Sequence, residues 1–351
     1  MSKNAAPRIL ICRMSSLGDT VQTMPIACAL REAFPSSHLA WVVEKSCSSI
    51  IREHPALSTV IPLDTGWSKS PTGIRDAVRM IKAEGFDVLI DCEGTICSGL
   101  LGWLTAIPKR IGFTGSHASV FNRMLTTERI APVFDHLTDR SLELLIPIGI
   151  HSPRVRWHLP IPAKARSWAT RWRRNIPNPK IAMLDPGVAL MSEHWDARNF
   201  ARIACHLRDA YQYRCIICWS SNVERDFANR IVEHSRGSAS LAPHTDLQHL
   251  AALLELSDLF ISGDTEPLHV SVALGTPTIN LHPAATPKNS RMYRQLTLQS
   301  GVVSAIAEHP GKSEGRSTRS RKSVPAHAVS YARVCDAVAE IETKQRLLRA
   351  G

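Results

Sequence analysis

Apolar positions along this chain follow two alternating rhythms. Short runs rich in β-branched residues, at Arg8 to Cys12, Leu39 to Val43, Thr59 to Leu63 and Asp87 to Asp91, predict strands. Between them, helical spacing of apolar residues predicts helices over Thr20 to Phe34, Ser46 to Glu53 and Thr72 to Glu84, with short ones around Cys97 to Thr105 and His136 to Leu145. Strands alternating with helices predict parallel βαβ units, hence a doubly wound sheet. Prolines, arginines and tryptophans from His151 to Lys180 interrupt the pattern, which then restarts. Strands are predicted at Ile181 to Leu184, Cys215 to Trp219, Leu259 to Ser262 and Thr278 to Leu281. They alternate with helices over Asp196 to Ala210, Asn222 to His234, Asp246 to Leu256 and Pro267 to Leu274. The expected architecture is two Rossmann-like α/β domains, 1–150 and 151–325, facing a central cleft. A final helical segment, 326–351, is expected to pack back towards the N-terminal domain.

Length supports two domains, because 351 residues exceed one ordinary α/β core. The fractions of 44% apolar and 21% charged residues are those of a globular chain, and no window approaches the roughly 20 apolar residues that span a bilayer. Met1 to Pro7 is short and polar, so no cleavable signal peptide is expected, and the protein is read as cytoplasmic. Nine scattered cysteines suit that compartment. Cys215 and Cys218 form a CxxC, but no second pair lies nearby and the segment reads as a buried strand, not a redox or zinc site.

The 42 basic against 31 acidic residues, a net charge of +11, favour anionic partners. No zinc finger, RNA-binding aromatic signature or basic coiled coil accompanies the charge, so nucleic acid is not expected. Gly311 to Ser323 has no apolar residue and five basic groups against one acid, which predicts a flexible basic loop. It is read as a solvated insertion or as a contact with an anionic membrane or acceptor.

Ligands of parallel sheets bind beyond the carboxyl ends of the strands, and two turns stand out there. Arg13-Met14-Ser15-Ser16-Leu17-Gly18-Asp19 follows the first strand and opens a helix, and Asp19 reads equally as a helix-capping residue or as a catalytic carboxylate. Ser262-Gly263-Asp264-Thr265-Glu266-Pro267-Leu268-His269 repeats the arrangement, with backbone amides that suit a phosphate, or else an ordinary cap at Asp264 or Thr265. Neither turn has dinucleotide or P-loop glycine spacing.

Taken with TMP after the first turn, WVVE at Trp41 to Glu44, RIGF at Arg110 to Phe113, His136 with Arg140, HWDARNFARIACHL at His194 to Leu207 and GDTEPLHVSVALGTP at Gly263 to Pro277, the chain resembles glycosyltransferase family 9, the ADP-heptose:lipopolysaccharide heptosyltransferases. The resemblance runs over roughly residues 8 to 290 in matching order. It implies a metal-independent, inverting GT-B enzyme without a cofactor, whose nucleotide-sugar donor is a substrate and whose acceptor is an anionic lipid-linked glycan. By that resemblance Asp19 is the general base, with Arg13, Ser16 and Gly18 on the acceptor side. Asp264, Thr265, Leu268 and His269 hold the donor, and Glu224 holds its ribose, although spacing alone reads Glu224 equally as a first-turn helix carboxylate. Peripheral contact with the inner face of the plasma membrane follows from charge and substrate class.

The sequence also departs from the family pattern. Glu193 stands where the family has a lysine, Glu266 where it has a glycine, Glu93 and Cys97 where it has glutamine and lysine, and Leu281 to Pro287 replaces an aromatic-Gly-Pro stretch. A like charge 4 Å from the diphosphate costs about 1 kcal/mol in water and about 4 kcal/mol at an effective dielectric of 20. Compensation by Lys288, Arg291 or His282 is one expectation. The alternative is a catalytically impaired glycan-binding protein on this scaffold.

Overall fold

The computed structural model of the chain describes residues 6–177, 180–187, 195–282, 303–306 and 329–350. Glu193, His194, 283–287, Lys288, Arg291 and the basic stretch 311–323 lie outside the described residues, as does the side chain of His282. The chain divides into two units, Met1–Pro160 and Ile161–Gly351, so the division falls ten residues later than the composition change suggests.

The first unit is a six-stranded parallel sheet of β1 (Arg8–Cys12), β2 (His38–Glu44), β3 (Thr59–Leu63), β4 (Val88–Asp91), β5 (Lys109–Phe113) and β6 (Glu128–Ile130). The spatial order is β3-β2-β1-β4-β5-β6. Ile9 of β1 sits opposite Leu39 of β2 and Val88 of β4, so the most apolar strand is central and buried on both sides. The helix Leu17–Ala33 is apolar on nearly all faces and correspondingly buried. The helix Pro71–Glu84 starts where Ser70 Oγ accepts from Gly73 N and Pro71 presets the first turn; it stops at Gly85 in the left-handed region. A full helix over Ser46 to Glu53 does not form. It is limited to Lys45–Ser48, after which Ile51 N and His54 N donate three residues back, and Pro55 disfavours helical backbone at His54.

The second unit repeats the plan with β7 (Lys180–Asp185), β8 (Tyr213–Ile217), β9 (Ala239–Leu241), β10 (Leu259–Ser262), β11 (Thr278–His282) and β12 (Val303–Ile306), ordered β12-β11-β10-β7-β8-β9. The arginine- and tryptophan-rich stretch read as a junction contains a helix, Ala163–Arg174. It buries Ala165 and Ala169, stacks Trp168 edge-on against His249 at 4.8 Å and pairs Arg166 with Glu255 at 2.8 Å.

The C-terminal helix Tyr331–Ala350 was expected to pack towards the N-terminal domain, but its buried face belongs to the second unit. Val334, Ala337, Val338 and Ile341 join the core built around Phe200 and Leu207. Buried Glu342 accepts from Lys180 Nζ at 2.6 Å and from Tyr213 Oη at 2.5 Å, satisfying a carboxylate that burial would otherwise penalise. Cys215, in the middle of β8, and Cys218, just after it, are buried thiols, and burial pushes both upward in pKa. Among the described residues no helix is long and apolar enough to cross a membrane.

Candidate functional site

Strand order reverses direction between β1 and β4 in the first unit and between β7 and β10 in the second, and these are the topological switch points where open α/β sheets bind ligands. Both turns singled out in the sequence sit there.

In the first unit the turn after β1 is held from beneath. Trp41 Nε1 donates to Arg13 O at 3.0 Å, and Met14 O accepts from Glu44 N at 3.0 Å. Ser16 caps the helix, accepting from Asp19 N at 3.5 Å. The sequence left Asp19 open between cap and catalytic group; the cap is Ser16, so the Asp19 carboxylate is not occupied in that role. Its Oδ2 is bound by Arg13 Nη2, and its side chain is 35% exposed. Gly18 is buried against the turn.

Arg13 is itself buried, donating through Nη1 to Cys92 O at 2.8 Å and pairing through Nε with Glu93 Oε2 at 3.5 Å. Burial pulls the Arg13 pKa down, but Glu93 and Asp19 offset this and hold it above its ordinary value. Glu93 is raised by burial, against the opposing pull of Arg13 and of the Met14 amide, which donates to it at 3.0 Å. Glu93 therefore serves as a largely buried counter-ion of Arg13, a role invisible when it is read only as a departure from the family's glutamine. Arg140, half-buried and lowered by burial and by Arg13, adds a second guanidinium whose field reaches Asp19.

Beneath this layer lies a group the sequence did not single out. Asp91, fully buried at the end of β4, accepts from Glu93 N and Gly94 N at 3.0 and 3.1 Å, Ser98 Oγ at 2.9 Å and Asn122 Nδ2 at 2.6 Å. Burial raises its pKa while these donors oppose the rise. The only local signal is an aspartate closing an apolar strand before a glycine-containing turn.

The second unit has a counterpart. Asp185, buried at the end of β7, accepts from Thr265 Oγ1 at 2.7 Å, Ser262 Oγ at 3.1 Å and Gly187 N at 3.1 Å. Burial raises it, the Thr265 hydroxyl opposes most, and nearby Glu224 raises it further. Asp185 was not singled out in the sequence either, since its main partner is 80 residues away. The structure brings Asp185, Gly187, Glu224 and Thr265 together: a Cβ built on Gly187 would lie 3.2 Å from Asp185 Oδ1, 3.6 Å from Glu224 Oε1 and 3.7 Å from Thr265 Cγ2. Gly187 thus lies closely against all three, and a side chain there would crowd the Asp185 carboxylate. Glu224 completes a capping box, its Oε2 accepting from Ser220 N at 2.6 Å and Ser221 N at 3.3 Å, which leaves Oε1 on the Gly187 side.

Three expectations for the second turn change. The Thr265 hydroxyl donates to Asp185, so its proton serves the turn itself. Leu268 is fully buried and its amide donates to Thr265 O at 3.1 Å, so it supports the turn by packing. With Thr265 N bound to Gly263 O and Pro267 lacking an N–H, the helix Glu266–Leu274 offers fewer amides than a glycine-rich phosphate loop. Asp264 and Glu266 are exposed at its start, and His269 is partly buried one turn in. Among the described residues no three His, Cys, Asp or Glu side chains form a group able to hold a metal ion.

The chain is 25% identical over 324 residues to the lipopolysaccharide core heptosyltransferase OpsX of Haemophilus influenzae, spanning 89% of this chain and 88% of that relative. It is 24% identical over 300 residues to lipopolysaccharide heptosyltransferase 1 of Escherichia coli K12, with coverages of 80% and 89%. Its fold matches the crystal structure of a family 9 glycosyl transferase from Veillonella parvula with a TM-score of 0.80 at 20% identity, covering 97% and 98% of the two chains. The E. coli heptosyltransferase WaaC solved with ADP matches with a TM-score of 0.73 at 19% identity, covering 96% and 98%. These likenesses make the two doubly wound units a GT-B fold. Because the sequence model of glycosyltransferase family 9 (heptosyltransferase) also matches residues 74–321, well over half of the chain, this protein belongs to that family.

Proposed function

We propose that this enzyme transfers heptose from ADP-heptose to the inner core of a lipopolysaccharide or a closely similar lipid-linked glycan, in the cytoplasm, with inversion and without a metal or cofactor. The observation that carries the reading is the Asp19 carboxylate: partly exposed, released from capping by Ser16, and aimed through one oxygen by a buried arginine. In the reaction an acceptor hydroxyl loses its proton to Asp19 while its oxygen attacks the anomeric carbon, and the bond to the diphosphate breaks from the opposite face, releasing ADP. Arg13 orients the carboxylate and Arg140 adds positive charge nearby; Ser16 and Gly18 fix the turn that carries it.

On the donor side, the start of the helix Glu266–Leu274 faces the diphosphate with its positive dipole end, and His269 contributes a polar contact. Gly187 permits close approach, and Glu224 Oε1 accepts from the ribose hydroxyls. Exposed Glu266 favours the second reading, a scaffold that binds glycan without turnover, because its charge opposes the diphosphate.

The test is Asp19→Asn. Transfer from ADP-heptose to heptose-deficient lipopolysaccharide should fall by about 10²-fold or more, the scale of a general base's usual contribution, with ADP affinity by calorimetry unchanged. Undiminished transfer removes Asp19 as the base, and a folded wild-type protein that binds neither ADP nor ADP-heptose leaves the glycan-binding reading.

A further inference from the structure

The short helix Val120–Leu125 is built inside out. Its inward side chain is Asn122, whose Nδ2 donates to Asp91 Oδ2 at 2.6 Å and Thr95 O at 2.8 Å, and Gly99 makes room for it. That polar anchor turns Val120, Phe121 and Met124, which share one face at spacings of three and four, towards solvent. The loop after β6 is arranged similarly. Val133 N and Phe134 N donate to Glu143 Oε2 and Oε1 at 2.8 and 3.2 Å, which fixes the backbone and leaves both apolar side chains outside.

These residues lie on one edge of the first unit. β4, β5 and β6 are adjacent and parallel, and the segments leaving their carboxyl ends carry Ile96, then Val120 and Phe121, then Val133 and Phe134. Ser119 N bonds Gly94 O at 2.9 Å, tying the first two segments together. With Met124, the six side chains are between 51% and 85% exposed. Singly exposed apolar residues are ordinary; a row of six on backbone pinned by hydrogen bonds is the mark of an interaction surface. The next strand along the same edge is β1, about 5 Å from β4 at the usual strand spacing, and the turn that leaves its carboxyl end leads into the helix that carries Asp19.

We propose that this rim is where the enzyme enters the surface of an anionic membrane, inserting the apolar side chains beside the acceptor-side turn. The choice of occupant rests on the transferase reading, in which the acceptor is lipid-linked. Charge agrees with it. From Gly94 to Asp135 the chain has Lys109, Arg110, Arg123 and Arg129 against Glu128 and Asp135. Lys109 pairs with Glu128 at 3.0 Å, whereas Arg123 and Arg129 form no ion pair among the described residues. Apolar side chains interspersed with uncompensated arginines suit the headgroup region of a bilayer containing acidic lipid.

The experiment is co-sedimentation of the full chain with phosphatidylcholine vesicles, with and without phosphatidylglycerol, for the wild type, F121D and F134D. The expected result is binding that increases with phosphatidylglycerol and weakens about tenfold or more in each variant. An F121W variant should show blue-shifted emission quenched by brominated acyl chains. Transfer to vesicle-embedded acceptor should fall in F121D and F134D, while transfer to the same acceptor stripped of its acyl chains stays at the wild-type rate. Wild-type-like sedimentation of both variants, with no emission shift in F121W, overturns the proposal. So does sedimentation velocity showing a wild-type dimer that the two variants dissociate, since the rim would then cover a second copy. Loss of transfer in D19N with vesicle binding intact supports a rim that works independently of the chemistry. A wild type that binds vesicles through the rim yet transfers nothing refutes the transferase reading alone.

Discussion

Replacing Arg13 by methionine keeps most of the buried volume and removes the charge that Asp19 and Glu93 share. Three losses follow. The charge-assisted bond to Cys92 O contributes about 1.5–3 kcal/mol. The Asp19 pair, one-third exposed, contributes at most about 1 kcal/mol. Glu93 is left as a largely buried carboxylate with only the Met14 amide, close to the situation that makes breaking a buried pair cost about 3–5 kcal/mol overall. A destabilisation of about 3 kcal/mol or more at pH 8 is therefore expected in urea unfolding.

The pH dependence is more telling than the size. Burial already raises Glu93 above its ordinary 4.5, so folding takes up a proton and its contribution to stability falls as pH rises from 4.5 to the folded value. Without Arg13 the folded value moves higher, which widens that window upward. Each added unit is worth about 1.4 kcal/mol, so the penalty of R13M should be smaller at pH 5 than at pH 8. Adding E93Q should recover about 1 kcal/mol or more at pH 8. Equal penalties at the two pH values, or a loss below about 1 kcal/mol at pH 8, would refute the reasoning.

Other expectations follow from single contacts. Thr265→Val removes the shortest donor to buried Asp185 and should cost about 1–3 kcal/mol while weakening ADP binding; calorimetric affinity equal to wild type would detach this network from the donor side. Tyr213→Phe deprives Glu342 of one of two partners and should lower stability by about 1–3 kcal/mol in denaturant titration, loosening the C-terminal helix in hydrogen exchange. Burial, opposed by the hydrogen bond to Trp157 O, brings His54 down to about 4. Its contribution to stability is thus present above 6.5 and lost as pH falls from there towards 4; an NMR titration midpoint near 6.5 would contradict its burial.

Much of this molecule is written locally. Strand runs such as Arg8 to Cys12, and the helix Asn222–His234 with its Ser221 and Glu224 box, follow from periodicity and capping within a dozen residues. The turn Arg13 to Asp19 is legible for the same reason, because strand, turn and helix start are contiguous. The edge strand Glu128–Ile130 is only three residues long and gave no periodic signal, and the helix Ala163–Arg174 was obscured by its arginines, whose buried face consists of alanines.

What the sequence by itself determined, then, is two doubly wound units and the two turns at their switch points. Tertiary structure alone decided which groups stand behind those turns. Asp91 meets Asn122 across 31 residues and Asp185 meets Thr265 across 80, and such pairings depend on strand order, which local periodicity does not encode. The same holds for the rim. Nothing in the local pattern marks Val120, Phe121 and Met124 as a surface, and only the burial of Asn122 against Asp91 turns them outward, because a buried amide needs partners that solvent-facing apolar groups do without.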